Sequence, residues 1–131
     1  MANIIRETNF ETLGTPRKGK VRDIYDFDGT LLIVATDRLS AFDVVLPTGI
    51  EDKGKVLTRL SLFWFRQVKD IIANHIIETD VDNYPDRLKQ YAGSLRDRSM
   101  LVKKAKVLPV ECVVRGYLAG SGWAEYQKSG T

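Results

Sequence analysis

The chain has 131 residues, 44% of them hydrophobic and 28% charged, with a net charge of +3. That is the composition of one globular domain with a core and not of a disordered tail, and it lacks the long basic stripe of a dedicated nucleic-acid binder. A single cysteine, Cys112, excludes an internal disulfide, and a single histidine, His75, excludes a His-rich metal cluster. No apolar run approaches the roughly 20 residues needed to span a bilayer, and MANIIRETNF has no apolar signal core. These features point to a soluble cytoplasmic protein, with residues 1–131 read as one unit without repeat or linker.

In KVRDIYDFDGTLLIVATD, Asp28-Gly29 lies between two β-prone runs. Asp-Gly takes the positive φ values of a tight turn, so a hairpin is expected from about Val21 to Thr36. The apolar run Ala41 to Leu46, ended by Pro47, is expected to continue that sheet. From Val56 to Ile77 the period changes. Leu57, Leu60, Trp64, Val68, Ile71 and Ile72 recur at helical spacing, which predicts one long amphipathic helix ending near Asn74-His75. Ile76 to Thr79 then begins another strand, and TDVDNYPDRLKQYAGSLRDR reads as a polar connection with a short helix after Pro85. Met100 to Val107 and Val110 to Val114 read as two more strands separated by Pro109. A last helix covers Trp123 to Lys128, with Ser121 as its N-cap and Gly130 near its C-cap. Strands around one long helix give an α+β layer, an antiparallel sheet packed on that helix.

Several charged positions resist a purely structural account. Alternation in the last strand puts Val110, Cys112 and Val114 on a core face and Glu111 and Arg115 on the other. At roughly 3.3 Å per residue the two charges lie about 13 Å apart, too far to be each other's ion pair. Either that face is solvated or it meets ligands. The glycine-rich GYLAGSGW that follows exposes consecutive N–H groups before a helix, an arrangement that serves an anion or a plain helix entry equally well. In TPRKGKVRDIY, Arg17, Lys18, Lys20 and Arg22 surround Gly19 just before a strand. A glycine there allows close backbone approach and the cations offset phosphate charge, although neither GxxxxGK[ST] nor GxGxxG is present and a solvated loop is the commoner outcome. LVKKAKV puts Lys103 on one strand face and Lys104 and Lys106 on the other. ATDRLSAFDVVLP gathers Asp37, Arg38, Ser40 and Asp43 at a strand end, where they converge on a ligand or cap a turn. Cys112 reads as a packed core thiol.

Taken together, these segments resemble the SAICAR synthetase family of purine biosynthesis. Leu108, Pro109, Val110, Glu111, Arg115, Ala119, Gly120 and Ser121 follow a family signature, and GKVRDIYD, ATDRLSAFD, EDKGKVLTRLSLFWF and GSGWAEYQKSGT extend the likeness over most of the chain. The resemblance implies an ATP- and Mg²⁺-dependent ligase that joins L-aspartate to the carboxylate of carboxyaminoimidazole ribonucleotide through an acyl phosphate. It implies that Gly19, Lys20, Val21 and Arg22 lie over the ATP phosphates, that Lys103 reaches them, that Val107, Leu108 and Val110 line the adenine, and that Glu111 meets the ribose. Arg115 and Ser121 would bind the imidazole nucleotide, and Asp37, Arg38, Ser40 and Asp43 would shape the acceptor side. Lys20, Lys103 and Arg115 would be the catalytic cations. The family's N-terminal part is similar to the nucleotide-binding lobe of protein kinases. Its second signature, acidic and lysine-containing, does not occur here, so 1–131 is expected to be an N-terminal portion. The metal-holding carboxylates would lie mainly in the other half, and the portion alone is expected not to complete catalysis. The rival expectation is a module that binds ATP without ligation.

Overall fold

The computed structural model describes residues 4–130. Its frame is a five-stranded antiparallel sheet of β1 (Arg17–Lys18), β2 (Arg22–Phe27), β3 (Thr30–Ala35), β6 (Ile76–Glu78) and β7 (Ser99–Lys103), in the order β1-β2-β3-β7-β6. A separate two-stranded ribbon holds β4 (Arg38–Ala41) and β5 (Val44–Gly49). Helix α1 (Lys53–Gln67) packs against β3, which gives the α+β layer expected from the sequence.

The Asp28-Gly29 hairpin forms as its sequence predicts, with φ of 45° and 80° at the two turn residues. Pleating then sends Asp23, Tyr25 and Phe27 of β2, Leu32 and Val34 of β3 and Leu101 of β7 to one face, where all are buried. Phe10, Val81, Tyr84, Leu88 and Leu95 close over that face to complete the core. Four of these five come from the stretch expected to be a polar connection. The short helix expected after Pro85 forms as α2 (Asp86–Lys89), but a 3-10 turn at Val81–Asn83 precedes it, α3 (Ala92–Leu95) follows it, and the stretch is part of the core rather than a polar connection. Its apolar residues recur at helical intervals, but Pro85 and the surrounding charges break the pattern into pieces too short to read.

The opposite face carries Ile24, Leu31 and Ile33, which are partly covered, and Ala35 and Met100, which are buried beneath α1. Between α1 and the sheet lies a cavity of about 220 Å³ whose apolar lining is Ile33, Ala35, Leu57, Phe65 and Met100.

Four expectations are corrected. The run Ala41–Leu46 does not continue the main sheet, because Phe42 and Asp43 take φ of 49° and 64° and fold the run back on Arg38–Ala41. The long helix begins earlier and ends earlier than its periodicity suggests. Ile71 and Ile72 keep the spacing but lie beyond the helix and exposed, with no sheet beneath them. Residues 110–114 form no strand. The chain leaves the sheet after Lys103, β7 being flanked by β3 and β6, and Val110–Val114 pairs with neither open edge, β1 or β6. Val114 is accordingly 97% exposed and Cys112 is exposed rather than packed in a core. The strand spacing of Glu111 and Arg115 falls with the strand. Helix α4 (Gly120–Ser129) includes the expected Trp123–Lys128, but its N-cap is Ala119 without a side-chain cap, not Ser121, while Gly130 closes it at φ 74° as expected.

Candidate functional site

The loop between β1 and β2 is a tight turn in which the Gly19 N–H donates to the Arg22 carbonyl at 2.7 Å. It is held from beneath by Arg38, a buried side chain at the start of β4. The Arg38 guanidinium donates to the carbonyls of Gly19 (2.9 Å), Lys20 (3.3 Å), Arg22 (3.1 Å) and Arg6 (2.6 Å). It also meets the Asp23 carboxylate at 2.8 Å. The second Asp23 oxygen accepts from the Thr8 N–H and hydroxyl, and Thr8 in turn meets the Tyr25 hydroxyl. A buried charge is tolerated only when paired and saturated with hydrogen bonds, and this pair is both. Arg38 thus spends its donors on the backbone of the loop. A period-two reading of RDIYDF marks Asp23, on the same face as Tyr25 and Phe27, as a carboxylate in the core, and that was the signal for a buried partner.

Asp37 is likewise turned inward, with no exposed surface. One of its oxygens accepts from Arg98 Nη1 at 2.8 Å and from the Gly54 N–H at 2.9 Å, and the other from the Ile5 N–H at 2.8 Å. Burial alone would raise its pKa, but these donors, Arg98 foremost, outweigh it and hold the carboxyl below the usual range. The same contacts fix α1 on the sheet, since Gly54 sits so close that a Cβ would come within 2.1 Å of the Ala35 carbonyl oxygen. Arg98 carried no motif in the sequence and was missed.

Among the exposed candidate residues, Lys20 and Asp43 come together. Lys20 Nζ meets Asp43 at 2.5 Å, joining the glycine loop to the tip of the β4–β5 ribbon. Asp43 raises the pKa of Lys20 by hydrogen bond and charge, and Glu111 adds a smaller attraction. Arg22, half a turn along, lines the cavity under α1. Lys103 pairs with Thr30, and the pleat sets it on the face of Leu101, away from Ile24 and Leu31. Lys104, beyond the strand end, pairs instead with Asp26 on the Ile24 face. Arg115 donates to the Ser121 hydroxyl at 3.4 Å. Val107, Leu108 and Val110 are exposed, and Ser40, opposite Val45 in the ribbon, is partly covered. Val21 is partly covered, its carbonyl accepting from the Thr36 N–H at 3.0 Å. Among the described residues no group of three or more His, Cys, Asp or Glu side chains comes together as a metal site, and Asp43 is engaged by Lys20. No helix among them is long and apolar enough to cross a membrane.

An antiparallel sheet with a cationic glycine loop at one edge and a long helix packed on it defines a protein of the α+β class. The sequence model of the SAICAR synthetase family matches residues 15–131. A relative from Thermodesulfovibrio yellowstonii, phosphoribosylaminoimidazole-succinocarboxamide synthase, is 62% identical over 99% of this chain and 44% of its own length. The synthase of the same name from Geotalea uraniireducens is 58% identical over 100% of this chain and 44% of its own. A solved SAICAR synthase superposes with a TM-score of 0.87 at 46% identity, covering 97% of this chain and 46% of that one. The Saccharomyces cerevisiae SAICAR synthase complexed with SAICAR gives 0.86 at 45% identity, with the same coverage. The chain belongs to the SAICAR synthetase family, and it spans less than half the length of the curated relatives it matches.

Proposed function

We propose that this chain is the N-terminal, nucleotide-binding portion of a phosphoribosylaminoimidazole-succinocarboxamide synthase, acting in the cytoplasm in de novo purine synthesis. In the whole enzyme an oxygen of the carboxyaminoimidazole ribonucleotide carboxylate attacks the γ-phosphorus of ATP and ADP departs. The L-aspartate amine then attacks the acyl carbon, phosphate leaves with the C–O bonding pair, and the amine proton is released as the amide forms. Such transfer asks the protein for positioning and charge neutralisation, which fixed cations supply.

The observation that carries this reading is the match of the SAICAR synthetase family to residues 15–131, which takes in the glycine loop and its Lys20–Asp43 ion pair. On this reading the glycine loop and the segment after β7 stand on two sides of the partly covered Ile24–Leu31–Ile33 strip and bound a cleft with an apolar floor and a cationic rim. In it Gly19, Lys20, Val21 and Arg22 cover the phosphates, Val107, Leu108 and Val110 flank the adenine, and Glu111 takes the ribose. Lys103 serves from the strand end. Arg115 and Ser121, already in contact, receive the phosphate of the imidazole nucleotide, with Ser40 and Asp43 on the acceptor side. Asp37 and Arg38 act through the backbone they hold rather than by touching substrate. Mg²⁺ accompanies ATP, with its protein ligands in the part of the family's length that this chain does not span.

Calorimetric titration of the chain with ATP tests the site. Saturable binding weakened at least tenfold by Lys20→Ala is expected, and binding indifferent to that change overturns the reading. The chain mixed with all substrates should release no ADP at the rate of a full-length relative. In a full-length relative the substitution equivalent to Arg115→Ala should impair acceptor use far more than ATP binding, and equal losses would count against the assignment.

A further inference from the structure

The cavity of about 220 Å³ between α1 and the sheet is set apart from the cleft assigned to ATP. It borders that cleft at Arg22 and Ile33, but Lys20, Lys103, Glu111 and residues 107–110 are not in its wall. Helical spacing builds one side of it, with Leu57, Thr58, Ser61 and Phe65 following one another along the inward face of α1. Ile33, Ala35 and Met100 form the sheet side, and Arg22, Arg98 and His75 complete the wall.

The polar part of this wall is all of one kind, two arginines, a histidine and two hydroxyls, with no carboxylate among them. Arg98 is committed to Asp37 at 2.8 Å, but among the described residues the Arg22 guanidinium has neither hydrogen bond nor ion pair, and the His75 ring has only its edge contact with Phe65. Thr58 is the more telling. The residue is 3% exposed, yet its hydroxyl makes no hydrogen bond among the described residues, whereas Ser61 donates to the Leu57 carbonyl at 3.0 Å. Since no sealed side-chain oxygen lacks a partner, the Thr58 hydroxyl is not sealed against protein but opens on the cavity that Thr58 lines. A donor so placed gains from any acceptor that enters. The rest of the space is apolar, and an apolar cavity of about 150 Å³ already holds benzene. About 220 Å³ therefore has room for a phenyl ring and a carboxylate. We propose that this cavity binds a small aromatic monocarboxylate, its ring against Ile33, Leu57, Phe65 and Met100 and its charge on the free donors of Arg22 and Thr58. An aliphatic dicarboxylate would leave a second charge against the apolar floor, which is why the ring is specified.

Benzoate is the probe, benzamide its uncharged counterpart of the same shape, and ATP is left out, so the result is independent of the functional reading above. The titration is followed by the amide chemical shifts of the isotope-labelled chain. Saturable benzoate binding with Kd of about 1 mM or tighter is expected, with shifts centred on Thr58, Ser61, Phe65 and His75 and benzamide bound at least fivefold more weakly. Thr58→Val keeps the shape without the hydroxyl and should weaken benzoate at least threefold, and Ser61→Leu fills the space and should abolish binding. No saturation by about 10 mM benzoate overturns the inference. So does binding indifferent to Thr58→Val and to the loss of charge in benzamide, which would put the anion on exposed cations of the surface. The same titration of this chain extended by the unmatched remainder of the Thermodesulfovibrio yellowstonii relative should saturate alike. Binding lost on that extension would mean that polypeptide fills the cavity, and it too overturns the proposal.

Discussion

Leu101 and Leu108 have the same side chain, yet the first is 7% exposed and the second 74%. Leu101 belongs to β7, with β3 on one side and β6 on the other and Tyr84, Leu88 and Leu95 above it. Leu108 follows the point at which the chain leaves the sheet. The contrast separates two kinds of order in one polypeptide. Up to Lys103 the sheet buries one apolar face, the buried Asp23 and Asp37 find Arg38 and Arg98 within the chain, and no buried side-chain nitrogen or oxygen among the described residues lacks a hydrogen bond. After Lys103 the composition is still that of an interior, but the partner is not supplied by these residues.

If the first region is self-sufficient, breaking one of its internal pairs should be costly. Arg98→Ala leaves the buried Asp37 carboxylate with only two backbone donors, and truncating one member of such a pair typically costs about 3–5 kcal/mol. Urea denaturation should show most of the chain's stability gone, and a midpoint within experimental error of the parent would mean that the pair does not hold α1 to the sheet. Tyr84 offers a second measure. Burial, aided by the charge of Glu78, pushes its hydroxyl up to about 12. The unfolded chain ionises this group near pH 10 and the folded chain does not, so the unfolded state binds fewer protons between those values. Stability is complete below pH 10 and falls as pH rises toward 12, by about 3 kcal/mol for a shift of roughly two units. Asp37 works in the other direction. Its folded pKa is depressed, so its contribution is present above the unfolded carboxyl value near 4 and disappears as pH falls through the folded one. Arg98→Ala should flatten that acid limb, and an unchanged limb would assign the acid loss to other groups.

How far these features could be read beforehand follows the same division. The Asp28-Gly29 hairpin was legible because two adjacent residues determine its geometry. The family resemblance was legible because signatures are local in sequence. The core covering from Val81 to Leu95 was not, since its meaning lies in the sheet face it meets. Asp37 and Arg38 looked like ligand residues because they are charged and stand at a strand end, and only three-dimensional neighbours such as Gly19, Gly54 and Arg98 turn them inward. For Val110–Val114 the sequence shows β propensity, but a strand also needs a neighbour, which propensity cannot provide.

The ribbon tip lies between the two regions. Phe42 is fully exposed and holds φ at 49°, a conformation unfavourable for a bulky side chain by roughly 1–2 kcal/mol. Glycine takes it freely but loses more backbone entropy on folding. Phe42→Gly should therefore stabilise the chain by up to about 1 kcal/mol, read as a rise in Tm of a few degrees. A fall would mean that the phenyl ring makes a contact that this geometry does not contain.

The smallest effect is expected where the composition looks most like a core. Introducing a carboxylate at a buried valine such as Val34 would place an unpaired charge between β2 and β7, among the most damaging of single changes. At Val114, with 97% of its surface already in water, the same change removes almost no buried area. Val114→Asp should alter the stability of the 131-residue chain by less than about 0.5 kcal/mol in either direction, measured by the urea midpoint. A loss of several kcal/mol would show that residues 104–130 fold against the sheet in solution, and the division at Lys103 would have to be abandoned. An unmoved midpoint leaves the apolar side chains of residues 104–119 without a stabilising role inside this chain, as their exposure requires.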